Sequence, residues 1–239
     1  MLDSNKTVRE LALEMPQATR VFEKLKIDYC CGGDKPFAEA CAIAGVEVDS
    51  VERMLTDTTA SETANISSEF QKAPLTELIN YIVQKHHIFT KEEMDRLEAL
   101  TAKVIAAHGE NHPELLKIGE LFERICADLK PHMFKEERIL FPSIIELENA
   151  SLQGRAMPFV PFGTVNNPVR MMMMEHDAVG DLLREMRAVS SDFAVPADGC
   201  ISYQTLYKAF EEFEKDLHQH IHLENNILFP RTVELEETF

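Results

Sequence analysis

Apolar residues recur at intervals of three and four through most of this chain, the spacing that lines one face of an α-helix. In VRELALEMPQATRVFEKLKI they fall at Val8, Leu11, Ala12, Met15, Val21, Phe22 and Leu25. Two short helices follow from this pattern, with Pro16 in the first turn of the second. Gly32 and Gly33 interrupt it, and a further helix starts near Pro36. Residues 1–56 therefore read as a small helical unit. The next stretch, TDTTASETANISSEF, is polar and rich in Ser and Thr, so 57–73 reads as a linker. Beyond Pro74 the helical period predicts four long helices, at about 75–107, 113–148, 169–190 and 201–236. A long connection carrying Pro158, Pro161 and Pro168 separates the second from the third. No segment alternates strongly enough to argue for a sheet. The expected fold is all-α: a four-helix bundle over 74–239 behind a small N-terminal helical domain.

Composition narrows the function classes. The formal net charge of −17 disfavours nucleic acid as a partner, because binding it needs clustered Lys and Arg. No apolar run reaches the ~18 residues that span a bilayer, so a membrane is not expected either. The start, MLDSNKTVRE, lacks the basic-then-apolar order of a signal peptide, and a cytoplasmic location is expected. The five cysteines, Cys30, Cys31, Cys41, Cys126 and Cys200, are odd in number and form no Cys-x-x-Cys. A secreted disulfide framework, a zinc ribbon and a thioredoxin-like motif are all disfavoured.

Candidate chemistry comes from a repeat. HMFKEERILFP, from His132 to Pro142, and HIHLENNILFP, from His220 to Pro230, lie 88 residues apart. Each has Glu four residues after its first His and then the same Ile-Leu-Phe-Pro. Residues four apart share a helix face, so His132 with Glu136, and His220 with Glu224, can each offer a nitrogen and a carboxylate to one point. Imidazole and carboxylate together suit iron, zinc or manganese. His86 lies 46 residues before His132, and His176 lies 44 before His220. Each half thus reads as a one-His helix followed by a His-x-x-x-Glu helix. Four His and two Glu are more than one ion needs; two ions could each take two His and share both carboxylates.

The other candidates have plainer readings. His87 is about 100° around the helix from His86 and reads as a supporting or surface residue. His218 and His222 face away from His220, and His108 and His112 fall at a helix end. Glu137, Glu175 and Asp177 break the register and read as solvated or supporting. The Met171–Met174 run reads as adaptable core filling. Ferritin-like bundles use Glu-x-x-His, and no histidine here has Glu three residues before it. Cys30 and Cys31 are too close along the backbone for an unstrained mutual disulfide. They read as a functional thiol pair, against ordinary small residues.

DYCCGG in a short leading unit, followed by HMFKEERILFP, MMEHDAVG and HIHLENNILFP, resembles the iron-sulfur cluster repair di-iron proteins, which carry a hemerythrin-like bundle. The likeness covers nearly the whole chain. It implies two non-haem iron ions with a bridging oxygen, held by His86, His132, Glu136, His176, His220 and Glu224. It also implies repair of clusters damaged by nitric oxide or oxidants, with iron donated by the bundle and Cys30 and Cys31 receiving or passing it. Partners would be damaged Fe–S proteins or cluster assembly proteins, with nitric oxide or O2 as small ligands. The same donor set would serve nitric oxide reduction, or sensing of NO or O2, and dimerisation is left open.

Overall fold

The computed structural model describes residues 6–15, 17–57 and 62–239; Pro16 and its expected place in a helix lie outside them. Among the described residues the chain is helical, with one isolated bridge between Thr7 and Pro36. Four short helices come first: α1 Val8–Glu14, α2 Ala18–Leu25, α3 Phe37–Ile43 and α4 Val48–Asp57. A capping box opens α1: the Thr7 hydroxyl accepts the Glu10 N–H at 3.1 Å and the Glu10 carboxylate accepts the Thr7 N–H at 2.7 Å. The four close around their own apolar core, which includes Leu11, Phe22, Phe37, Val51 and Leu55.

The polar stretch expected as a linker carries a helix, α5 Glu62–Phe70. Its composition favours helix weakly, but its far end is fixed by tertiary contacts. Phe70 is buried with its ring 4.9 Å from that of Tyr81. Arg231 donates to the carbonyls of Phe70 and Ala73 at 2.6 and 2.7 Å, satisfying groups a helix C-terminus leaves free.

The bundle follows. Its first rod is α6 Leu75–Tyr81, a π-helical turn Ile82–His87 and α7 Ile88–His108. Its second is α8 Glu114–Lys135, a π turn Glu136–Leu140 and α9 Phe141–Leu152. The third is the unbroken α10 Asn166–Val189. The fourth is α11 Ile201–Leu223, a π turn Glu224–Leu228 and α12 Phe229–Glu236. The start of α6 has no side-chain cap of its own. Glu148, reaching over from α9, accepts the N–H groups of Leu75 and Thr76 at 2.6 and 2.9 Å.

Two apolar clusters fill the bundle. One holds Leu97, Ile125, Leu183, Phe210 and Leu217; burying each such side chain stabilises the fold by about 1.5–3 kcal/mol. The other, toward the opposite end, holds Ile79, Ile82, Phe141, Met172, Leu228 and Phe229. Along every rod, a buried layer of histidine and glutamate falls between the residues of one cluster and those of the other. The leading unit docks beside that layer. Asn226 Nδ2 donates to the Tyr29 carbonyl at 3.0 Å, and Arg184 bonds Asp28 at 3.1 Å. Among the described residues no helix is long and apolar enough to cross a membrane.

Candidate metal centre

The two repeats share a local device. Pro142 and Pro230 have no N–H, and in a regular helix each ring would press on the carbonyl four residues earlier. Both helices widen just before the proline. The Phe141 N–H bonds the Glu136 carbonyl, and the Phe229 N–H bonds the Glu224 carbonyl, each five residues back. Each π turn thus runs from the candidate glutamate to the Leu of Ile-Leu-Phe-Pro, Glu136–Leu140 and Glu224–Leu228.

Between the four rods these turns bring together two groups of four buried side chains, His87, Glu136, His220, Glu224 and His132, Glu136, His176, Glu224. Both carboxylates belong to both groups. Glu136 sets Oε1 3.3 Å from His132 Nε2 and Oε2 3.5 Å from His87 Nε2. Glu224 sets Oε2 3.3 Å from His176 Nε2 and Oε1 3.0 Å from His220 Nε2. Within each group the two imidazoles face each other, His132 and His176 at 3.0 Å between Nε2 atoms, His87 and His220 at 3.1 Å.

Three of the four outward nitrogens are held separately, and His220 Nδ1 is buried with no partner. His132 Nδ1 lies 2.8 Å from the Glu175 carboxylate, His87 Nδ1 2.7 Å from Glu137, and His176 Nδ1 2.8 Å from Asn225 Oδ1. Such partners accept from Nδ1–H and leave Nε2 facing inward. His132 and His176 thus turn their Nε2 atoms toward each other across 3.0 Å, a spacing that fits either one shared proton or one shared cation. Two nitrogens bonded at about 2.1 Å and roughly at right angles would be about 3.0 Å apart. Both Glu136 oxygens and Glu224 Oε2 are buried with no hydrogen-bond partner, a heavy cost for carboxylates unless a cation takes the charge. The donor set fits a pair of ions of the iron, zinc or manganese class.

The electrostatics put a proton where an entering cation would bind. Burial would lower the His132 pKa, but Glu136 and then Glu175 outweigh it and push it up to about 10. The hydrogen bond from His132, with Lys135 beyond it, holds Glu175 down at about 2. Burial would raise Glu224, yet His220 and His176 hold it well below the usual carboxylate range.

Five of the residues expected from the repeat, His132, Glu136, His176, His220 and Glu224, meet in this layer; His86 does not. Its place is taken by His87. The π turn Ile82–His87 inserts one residue into the rod and turns the facing position by one step, about 100°. His86 instead bonds Asp216 Oδ1 through Nδ1 at 3.0 Å and lies parallel to the His220 ring at 5.7 Å. The supporting acceptors Glu137 and Asn225 had a visible signal: each directly follows the glutamate of its repeat. Glu175, directly before His176, corresponds in the other half to His86, directly before His87. The Cys30–Cys31 pair lies alongside, with Cys31 Sγ 3.5 Å from the His176 carbonyl.

Comparison with known proteins places both parts of the chain. The model of the hemerythrin HHE cation binding domain matches residues 78–232, and ScdA_N, described as a domain of unknown function, matches residues 4–59. The chain is 34% identical over 224 residues to a probable iron-sulfur cluster repair protein of Haemophilus influenzae, covering 94% of this chain and 95% of that protein. It is 34% identical over 230 residues to the iron-sulfur cluster repair protein YtfE of Yersinia pseudotuberculosis, covering 96% and 97%. The same figures hold for YtfE of Yersinia pestis. On a shared two-part organisation and a likeness along nearly its whole length, this chain belongs to the hemerythrin-type iron-sulfur cluster repair family.

Proposed function

We propose that this protein restores iron-sulfur clusters damaged by nitric oxide or oxidative stress, and that it does so in the cytoplasm by giving up iron from the buried layer. The observation that carries the reading is that Glu136 and Glu224 each offer one oxygen to either group of histidines. Carboxylates so shared hold two cations side by side, here two non-haem irons with a bridging oxygen. The bound pair supplies iron as cargo and a place where O2 or nitric oxide binds.

The chain's own residues do the rest. His87, His132, His176 and His220 supply nitrogens whose direction Glu137, Glu175 and Asn225 set for the first three. The apolar clusters on either side exclude water. Cys30 and Cys31, the latter beside the His176 carbonyl, supply thiols on the path toward a client protein.

The test is direct. Iron-loaded protein is mixed with a cluster-depleted dehydratase and the recovery of dehydratase activity is followed. Recovery should fail with Glu136→Ala and slow with the double variant Cys30→Ala/Cys31→Ala; normal repair by both sinks the reading. Two adjacent irons could also bring two nitric oxide molecules together. Nitrous oxide from a single turnover of the reduced protein would assign that reaction in place of repair.

A further inference from the structure

Asp28, Cys30 and Cys31 place a carboxylate oxygen and two sulfurs within 4.8 Å of one another. The segment is a tight turn built around the aspartate. Asp28 Oδ1 accepts the N–H groups of Cys30 and Cys31 at 3.1 and 3.0 Å and lies 3.4 Å from Cys30 Sγ. Gly32 makes the closeness possible: a Cβ there would come within 3.1 Å of Asp28 Oδ2. Arg184 from α10 bonds that Oδ2 at 3.1 Å and leaves Oδ1 turned toward the sulfurs.

The two sulfurs are 3.9 Å apart, and both cysteines are free thiols. Two thiolates bonded to one ion at about 2.3 Å with tetrahedral angles stand about 3.8 Å apart. A carboxylate oxygen at about 2.1 Å from the same ion would fall about 3.6 Å from each sulfur. The sulfur–sulfur and Asp28–Cys30 spacings match a single ion, and the Cys31 sulfur lies within 4.8 Å of the same carboxylate.

The site also has an approach. Asp28 and Gly180 line a cleft of about 660 Å³ between the leading unit and α10 and α11. Gly180 of α10 lies beside the pair: a Cβ there would stand 3.4 Å from Cys31 Sγ, an ordinary contact.

We propose that Asp28, Cys30 and Cys31 form a third cation site, distinct from the paired histidine–glutamate groups, for one borderline-soft divalent ion of the zinc or ferrous class. Sulfur donors select such an ion over magnesium or calcium. Three protein donors leave a fourth position for a further ligand. Binding gives up the two thiol protons to the medium and oxidises nothing. Its use as a station for outgoing iron rests on the repair reading; the site itself does not.

The probe is cobalt(II), added without oxygen and with a phosphine reductant to full-length protein whose bundle is already loaded with iron. One further equivalent should bind and give a near-ultraviolet sulfur-to-cobalt absorption. The band should vanish in Cys31→Ser, survive in Cys200→Ser, and need about tenfold or more cobalt in Asp28→Asn, with bundle iron unchanged in all three. No band, or a band that survives Cys31→Ser or is lost in Cys200→Ser, overturns the site. X-ray absorption at the cobalt edge of the unaltered chain needs no variant: two sulfur neighbours are expected, and none refutes the proposal. Failure here leaves dehydratase repair measurable on its own, so the two readings fall separately.

Discussion

His86 and His87 are adjacent in sequence, both buried, and assigned opposite duties, which makes them the sharpest test of the centre. Each of the two groups has four donors, two imidazoles and two carboxylate oxygens, and His87 supplies one of them in only one group. Replacing His87 by Gln removes the inward Nε2 that stands 3.1 Å from His220. The group of His132 and His176 keeps all four donors. Bound iron should therefore fall from about two ions per chain toward one. His86→Gln keeps a hydrogen-bond donor for Asp216 and removes no donor atom from either group, so both ions should remain. The stability cost of that change is bounded by one altered hydrogen bond, about 0.5–1.5 kcal/mol. The assay is iron per chain by elemental analysis after gel filtration, with thermal melting to confirm folding. Full iron in His87→Gln, or loss of iron in folded His86→Gln, would refute the placement.

Four further outcomes are expected. Glu137→Ala, Glu175→Ala and Asn225→Ala should each weaken iron retention about 10–100-fold in chelator competition, because each frees a ring its acceptor now orients; unchanged retention would mean the contacts are incidental. His132 keeps its proton up to about 10, so an entering cation must displace it at neutral pH. Loading a weakly buffered sample should acidify it, and affinity should fall as the pH is lowered; no proton release contradicts this. The backbone N–H of Tyr203 and the His108 ring lower the Cys200 thiol to about 7, while burial and nearby Glu98 push Cys126 up to about 12. Alkylation mapped by mass spectrometry should reach Cys200 first, rising through pH 7, and spare Cys126 at neutral pH. Arg231→Ala should cost about 1.5–3 kcal/mol through lost charge-assisted bonds to Phe70 and Ala73, a melting decrease of roughly 2–4 °C per kcal/mol.

Much of this architecture is written in local pattern. Four long apolar-periodic segments form four rods, and the matched His-x-x-x-Glu runs carry five residues of the centre into one layer. What pattern cannot carry is the count of residues per turn. Regular geometry sets His86 and His87 about 100° apart without saying which faces inward, and the added residue in Ile82–His87 decides for His87. The other two π turns announce themselves through Pro142 and Pro230; this one has no proline. Helix α5 was hidden for another reason. Its sequence is a poor helix former, and its order comes from Tyr81 on the next helix and from Arg231, 161 residues beyond Phe70. The cap that Glu148 provides to α6 is remote too, 73 residues from Leu75.

The widened turns also say which parts of this chain can change length. A widened turn absorbs one extra residue, so losing one residue from 136–140 together with the widening would leave Phe141, Ile144 and Leu147 in the core they fill. A length change in a regular stretch of the rod has no such outlet: it would rotate every later side chain by about 100° and take those residues out of the core. Residues 153–159, exposed apart from a partly covered Pro158, carry no such coupling. Length should therefore vary in the connection, and within the rods only where a widened turn takes up the change.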